Sequence, residues 1–243
     1  MQSLAPVALA GQDDSVSHSL AVLSAVYHYN HWIFDSVREY LGPEIAEVGA
    51  GVGNITQFLL NASRLVCLEP FTPYFDYLRQ RFAQHLNVKV YPFPIESVPN
   101  ADVAAGSFDS VVCLNVLEHI DDHVGALRNM RQLLRPGGNV IVFVPAMPFL
   151  FGAMDRAMGH LRRYTKRSLR QAFLDAGLRP VRARYINLVG VAGWLWNGRI
   201  RKQATIPASA TLLFDRLVPI LSAFERILPP LIGQSVLVVG KRL

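Results

Sequence analysis

The chain has 243 residues, 51% hydrophobic and 17% charged, so it can bury a large core and is neither disordered nor fibrous. Two cysteines exclude a disulfide framework and a cysteine-rich zinc module. Residues 1–120 hold 5 Lys and Arg against 12 Asp and Glu, and residues 121–243 hold 19 against 6, which gives the net charge of +6; such a basic half fits an anionic substrate, an anionic membrane surface or an arginine-rich solvated surface.

The N-terminal region predicts a loose arm at residues 1–14 and a helical cap at residues 15–41. Apolar side chains recur there at helical spacing, with a break near Asn30, and Gly42-Pro43 ends the pattern.

From residue 42 onward, short apolar runs alternate with amphipathic segments. This alternation predicts an α/β fold with a doubly wound, mostly parallel sheet of seven strands. The strand candidates are residues 45–48, 65–68, 88–91, 110–114, 140–144, 181–185 and 236–239. The helix candidates are residues 54–61, 73–84, 122–134 and 166–176.

Residues 188–234 interrupt the alternation with two tryptophans, four prolines and an amphipathic stretch at 212–228. We interpret them as a helical lid inserted before a last strand at 235–243. The prediction is therefore a single domain, with its Rossmann-like core at residues 42–187.

The segment Glu47-Val48-Gly49-Ala50-Gly51-Val52-Gly53 joins a predicted strand to a predicted helix. Glycines let the backbone turn sharply and approach a ligand that a Cβ atom would exclude. The spacing is G-x-G-x-G, with Asn54 at the sixth position where a dinucleotide fold requires Gly or Ala, so a pyrophosphate site is disfavoured. Glu47 suits a positively charged ligand. Glu69 closes the next strand, where a carboxylate can accept both ribose hydroxyls of a nucleoside.

These segments resemble the class I S-adenosylmethionine-dependent methyltransferases. Ser107-Phe108-Asp109-Ser110 opens a run similar to the family's fourth strand. Leu117-Glu118-His119 resembles the start of the following helix, and Leu134-Arg135-Pro136-Gly137-Gly138 resembles the turn before strand five. Tyr91-Pro92-Phe93-Pro94-Ile95-Glu96 stands where the family's third strand meets the adenine.

The resemblance implies S-adenosyl-L-methionine as methyl donor, with S-adenosyl-L-homocysteine as product. The glycines would pass beneath the methionine part, Glu69 would bind the ribose, and Asn115 would lie near the sulfonium. In the family, an acidic residue beside a small residue often binds the adenine amine. This chain departs from that pattern, because Ile95-Glu96 occupies the corresponding place. The expected cofactor contacts are Glu47, Gly49, Gly51, Gly53, Glu69, Pro70, Ile95, Glu96, Asn115 and Tyr29.

Three regions are candidates for contact with the methyl acceptor: the turn at His119, the loop at residues 155–165 and the N-terminal helix. The catalytic candidates are His119, as a general base or as a helix brace, and His160. Arg162 and Arg163 would clamp a carboxylate or phosphate, or form a solvated pair. The expected substrate contacts are Asp155, Arg162, Arg163, Tyr164 and Trp194.

Metal binding is a separate question. Glu118-His119 resembles a pair that binds a divalent ion in ubiquinone-biosynthesis O-methyltransferases, and His123 follows His119 at i+4, on the same face of a predicted helix. Because no third ligand follows at a defined spacing, we expect no metal.

The predicted function is O-methylation of a small, partly apolar and anionic molecule. The alternatives are methylation of a lipid-linked or saccharide acceptor at a membrane surface, and a non-catalytic cofactor- or partner-binding module. The sequence shows no signal peptide, no run of the ~20 apolar residues that a membrane span needs, and no nucleic-acid-binding signature. We therefore expect a cytoplasmic monomer or homodimer with possible peripheral membrane contact.

Overall fold

A computed structural model describes residues 26–100, 103, 105–201 and 208–243. The strands are β1 (Glu44–Val48), β2 (Arg64–Leu68), β3 (Val88–Tyr91), β4 (Phe108–Leu114), β5 (Leu134–Pro145), β6 (Leu178–Ile186) and β7 (Ser235–Arg242). The α-helices are α1 (Tyr27–Val37), α2 (Thr72–Arg81), α3 (His123–Leu133), α4 (Ala153–Ala157), α5 (Lys166–Asp175), α6 (Leu188–Trp194) and α7 (Ala208–Ile227).

The strands form one sheet in the order β3-β2-β1-β4-β5-β7-β6, in which β7 runs antiparallel to both of its neighbours. Successive side chains of a strand point to opposite faces, and β1 shows this: Ile45 joins the core on one face, and Ala46 and Val48 join the core on the other. Both faces are thus covered over the central strands, which explains why β2 and β7 are nearly continuous apolar runs, whereas the edge strands β3 and β6 are partly exposed. The predicted α/β fold class is confirmed, including the helical insertion before the last strand.

The strand order reverses beside β1, which lies between β2 and β4. In open α/β sheets, ligands bind at such a switch point, outside the carboxyl ends of the strands. The glycine loop follows β1 directly, and Glu69 follows β2. The topology therefore places these two predicted site elements side by side.

The helix predicted at residues 54–61 is wrong: this segment forms turns and a short 3-10 helix, Thr56–Phe58. Two side chains hydrogen-bond to backbone carbonyls at the start of this segment and just before it. The Arg81 guanidinium donates to the carbonyl of Val52 over 2.6 Å, and the Gln57 amide donates to the carbonyl of Asn54 over 2.8 Å.

The break predicted near Asn30 in the N-terminal helix α1 is also wrong. The helix runs unbroken through Asn30, whose N–H donates to the carbonyl of Val26 over 3.1 Å. The predicted break is therefore absent. Residues 1–25, which include the predicted arm and the first part of the predicted cap, lie outside the described residues.

Two further boundaries differ from the prediction. Strand β5 already begins at Leu134, which pairs with Phe108 of β4, so the predicted turn is part of a strand. Helix α3 begins only at His123, because the Asp122 carboxylate accepts the N–H of Gly125 and caps it there. His119 lies in a separate 3-10 turn, so the two histidines do not share a helix face.

The insertion consists of α6, a π-helical turn (Leu195–Ile200) and α7. Helix α7 is anchored at Asp215, whose carboxylate accepts the N–H of Tyr29 over 2.7 Å at the start of α1. Among the helices that the structure describes, none combines the length and the apolar character needed to cross a membrane.

Candidate functional site

The glycine loop contains one open position between two packed ones. Gly49, Gly51 and Gly53 all have positive φ angles, of 69°, 57° and 81°. A Cβ atom on Gly49 would overlap Val116, and one on Gly53 would come within 2.7 Å of the Phe82 ring. A Cβ atom on Gly51 would meet nothing within 4 Å among the residues that the structure describes. Gly51 therefore exposes its backbone to a space that a ligand can occupy, while its neighbours are required for packing.

Glu69 lies directly against that open position. Its carboxylate accepts the N–H of Gly51 over 2.7 Å and the N–H of Phe71 over 3.0 Å. A carboxylate offers about four lone-pair sites, so two of them remain to accept hydroxyl groups. Burial raises the pKa of Glu69, and the two N–H donors oppose that rise. The loop and the strand-end acid that the sequence singled out are thus brought together.

Glu47 lies beneath the loop, with its carboxylate turned inward. It accepts the Thr56 hydroxyl over 2.7 Å and lies 3.7 Å from the Cys67 sulfur. Burial raises the pKa of Glu47 to about 7, and the Thr56 hydroxyl opposes the rise. Its predicted contact with a positively charged ligand stays a prediction.

Three residues with strained backbones lie at or just after the carboxyl ends of three strands that run in the same direction. Among the described residues, the non-glycine residues with positive φ are Asn115, Met147 and Asn187, which follow β4, β5 and β6. Left-handed backbone in a non-glycine residue costs free energy and is concentrated at functional sites. Asn115 is solvent-exposed, as a residue near the reacting atoms would need to be.

The remaining predicted cofactor contacts are spread along this edge. Pro70 is exposed directly after Glu69. Ile95 is buried and Glu96 is exposed, so only the carboxylate of this pair faces solvent. Tyr29 packs against the insertion, with its ring 6.0 Å from Phe214 of α7. Which of them contacts a cofactor stays a prediction.

A buried polar cluster lies beyond the end of β5 and is centred on Asp155. The Asp155 carboxylate accepts from four donors: the N–H of Gly152, Nδ1 of His160, Nε of Arg163 and Nε1 of Trp194, over 2.9, 2.9, 2.7 and 3.2 Å. The Arg163 guanidinium also lies 4.6 Å from the centre of the Trp194 ring. These donors hold the pKa of Asp155 below its usual value although burial opposes them. Four of the predicted acceptor-site residues therefore form one network.

Glu118 adds a carboxyl group to this cluster. It is fully buried, and within the described part of the chain neither of its oxygens has a hydrogen-bond partner. Its Oε1 lies 4.0 Å from Nε2 of His160. Burial raises the pKa of Glu118 to about 8, and nearby Arg163 opposes the rise. The sequence places Glu118 beside His119 but does not indicate its part in this cluster, because burial cannot be read from the sequence.

His119 lies between this cluster and solvent. His119 is an exposed residue, and its Nδ1 lies 3.2 Å from the carbonyl oxygen of Gly159. The centre of its ring lies 4.9 Å from the centre of the His160 ring. Desolvation of the ring and the proximity of His160 lower the pKa of His119 to about 4. His119 is therefore a neutral imidazole near neutral pH, with a ring nitrogen able to accept a proton.

Glu118, His119 and His160 also offer three ligand atoms that lie within 4.8 Å of one another. Two imidazoles and a carboxylate suit a divalent transition metal. The third group, His160, comes from the loop after β5, 41 residues beyond His119, which is why spacing alone did not reveal it.

The other predicted acceptor residues have internal partners. Arg162 donates to the carbonyls of Ile120 and Asp121 over 3.0 and 2.9 Å and contacts His123. Tyr164 is buried, and its hydroxyl lies 3.4 Å from the carbonyl of Leu117. An anion clamp by Arg162 and Arg163 stays a prediction, and it requires these internal contacts to open.

Comparison with known proteins gives a consistent result. Residues 46–140 match a family model described as a methyltransferase domain. A human protein named thiol S-methyltransferase TMT1A is 31% identical over 111 residues, which are 44% of this chain and 46% of that protein. A ubiquinone biosynthesis O-methyltransferase from Xanthomonas axonopodis pv. citri is 29% identical over 105 residues, 43% of this chain and 44% of that protein. The chain thus spans less than half the length of these relatives.

Solved structures are similar over nearly the whole chain. The geranyl diphosphate C-methyltransferase from Streptomyces coelicolor A3(2) superposes with a TM-score of 0.65 at 13% identity and covers 97% of this chain and 89% of its own. An S-adenosylmethionine-dependent methyltransferase from Mesorhizobium loti gives a TM-score of 0.61 at 14% identity, covering 90% and 100%. At such identities the similarity shows the fold.

Proposed function

We propose that the chain, in which residues 46–140 match a methyltransferase-domain model and the strands form a doubly wound sheet, transfers a methyl group from S-adenosyl-L-methionine to an oxygen atom of a small, partly apolar acceptor. The observation that carries the proposal is the open position at Gly51 with the Glu69 carboxylate against it. A Cβ-free backbone and a carboxylate with unused lone pairs suit a nucleoside with two ribose hydroxyls. The matched domain also supports a methyl donor at this edge.

The donor's sulfonium supplies an electrophilic methyl group, which leaves its S–C bonding electrons on sulfur while the acceptor oxygen forms the new O–C bond. The main task of the protein is therefore to align the acceptor and exclude water. Glu69 would hold the ribose, and Asn115, exposed at the end of β4, would face the reacting atoms.

An acceptor hydroxyl must also lose its proton. His119 is neutral near neutral pH and exposed beside the strand ends, so its free ring nitrogen can take that proton. His160, held through Nδ1 by Asp155, packs against the His119 ring and positions it. A carboxylate acceptor is already ionised and needs no base.

A matched pair of glycines tests the proposal. Gly51 and Gly137 both have positive φ, and no described residue lies within 4 Å of where their Cβ atoms would stand, so Gly51→Ala and Gly137→Ala impose the same kind of backbone strain. Only Gly51→Ala places a methyl group in the proposed donor site. With methyl-labelled donor and a panel of phenols and small carboxylic acids, wild type and Gly137→Ala should transfer label and Gly51→Ala should not. Equal transfer by both variants, or none by folded wild type, would contradict the proposal.

A second candidate is methylation of a lipid-linked or saccharide acceptor at a membrane surface. It is favoured by the exposed apolar side chains of the insertion, such as Trp196 and Ile220. Offering the enzyme a lipid extract and an aqueous extract separately would distinguish the two acceptor classes.

We also propose a reducing compartment such as the cytoplasm, since Cys67 and Cys113 are both free and buried.

A further inference from the structure

Helix α7 turns a large apolar surface toward solvent. The fractional exposure of Leu213 is 61%, that of Ile220 70%, that of Phe224 57% and that of Ile227 85%. Isolated exposed apolar side chains are ordinary, but contiguous apolar patches of more than a few hundred Å² mark interaction sites. This helix therefore needs an explanation beyond its packing in the fold.

The exposed side chains share one side of the helix. At 3.6 residues per turn they fall within less than half of its circumference, and we call this surface the α7 apolar face. Its members are Leu212, Leu213, Leu217, Ile220, Phe224, Ile227 and Leu228. The opposite side holds the helix to the protein, through buried Val218 and through Phe214, which contacts Tyr29. The apolar face is thus additional to the surface that attaches the helix.

Exposed apolar side chains also occur outside this helix. Leu231 and Ile232 follow it and are exposed, as are Leu188 and Val189 at the start of α6. Helix α6 is joined to α7 on the side opposite the α7 apolar face, where the Glu225 carboxylate accepts the N–H of Leu188 over 2.7 Å. The insertion therefore exposes apolar side chains on α6 as well as on α7.

The charges of α7 are sorted between its two sides. Both of its acidic residues are engaged inside the protein: Asp215 accepts the N–H of Tyr29, and Glu225 accepts the N–H groups of Asn187 and Leu188. Both of its arginines, Arg216 and Arg226, are exposed, and Arg216 lies within the apolar face. Toward solvent, α7 thus presents apolar side chains and positive charge.

We propose that the α7 apolar face docks the protein onto an anionic membrane surface. Apolar side chains would enter the boundary between headgroups and acyl chains, while Arg216 and Arg226 would contact anionic headgroups. A second copy of the chain suits the surface less well, because a two-fold pairing of this face would bring arginines together with no carboxylate of α7 to pair with them. The inference is independent of the proposed methyl transfer.

Vesicle flotation tests this docking without requiring an acceptor. Vesicles of phosphatidylcholine alone and of phosphatidylcholine mixed with phosphatidylglycerol are offered to the 243-residue chain. Wild type should float with the anionic vesicles, and Ile220→Ser with Phe224→Ser should weaken that partition at least ~10-fold, because both side chains lose apolar surface. The matched control is Leu86→Ser, which removes an even more exposed apolar side chain far along the chain and should float like wild type.

Two charge-reversal variants test whether the exposed arginines of α7 contribute to docking. Arg216→Glu should weaken binding to anionic vesicles, whereas Arg170→Glu, an exposed arginine on α5, should leave it unchanged. Absence of wild-type flotation would overturn the inference, as would equal losses in the α7 variants and their controls. A dimer in light scattering that the Ile220 and Phe224 substitutions dissociate, without flotation of wild type, would assign the face to a second copy instead.

Discussion

Glu47 shows how the environment of one residue sets its chemistry. Its carboxylate is buried beside Thr56 and Cys67, with Glu69 nearby, and burial raises its pKa to about 7. An acid whose pKa is raised on folding stabilises the folded state in its protonated form. That contribution is complete below pH 4.5, the unfolded value, and is lost as the pH rises through about 7.

Replacing Glu47 by Gln should therefore remove a pH dependence. Between pH 4.5 and about pH 7 wild type should lose up to ~3 kcal/mol more free energy of unfolding than Glu47→Gln, whose amide still accepts the Thr56 hydroxyl. Urea denaturation across this range measures the difference. Parallel pH curves for the two proteins would contradict the assignment.

His119 carries a second prediction at the residue scale. For a hydroxyl acceptor, His119→Ala should lower kcat by ~10²–10⁴ with little change in KM, as expected for loss of a general base. His123→Ala is the matched control, because His123 lies at the start of α3 outside the cluster. For a carboxylate acceptor neither variant should lower kcat. Equal effects of the two substitutions on a hydroxyl acceptor would exclude His119 as the base.

At the scale of elements, the Asp155 network ties the insertion to the sheet. Asp155 lies in α4, Trp194 ends α6, and Arg163 also donates to the carbonyl of Ala146 after β5 over 2.8 Å. One buried carboxylate thus joins α4 to α6 directly and to the end of β5 through Arg163. Neutralising the Asp155 carboxylate leaves the buried Arg163 guanidinium without its counter-charge. This lowers the free energy of unfolding far more than the loss of an exposed ion pair does.

Asp155→Asn should accordingly lower the free energy of unfolding by ~3–5 kcal/mol. The comparison is Asp121→Asn, which removes the partner of the neighbouring Arg162 in an exposed ion pair and should leave stability unchanged. Chemical denaturation monitored by tryptophan fluorescence measures both. A small effect of Asp155→Asn would mean that the network does not support the insertion.

At the scale of the whole molecule, local pattern was enough to predict the sheet. Each strand lies at a predicted apolar run, and Gly51 and Glu69 meet because neighbouring parallel strands end at one edge. Local pattern failed where tertiary contacts decide. The segment at residues 54–61, where the Arg81 and Gln57 side chains bond nearby backbone carbonyls, forms turns and not the predicted helix. The cluster of Glu118 and His160 joins residues 42 positions apart. No spacing rule identifies such a pairing in advance.

The most direct test of the central claim is calorimetric titration of S-adenosyl-L-homocysteine into wild type, Glu69→Ala and the exposed-site control Glu39→Ala. A hydrogen bond to a charged group contributes about 1.5–3 kcal/mol, so Glu69→Ala should weaken binding at least ~10-fold while Glu39→Ala binds like wild type. Failure of folded wild type to bind, or identical affinities in all three proteins, would contradict the proposed donor site and leave only the fold standing.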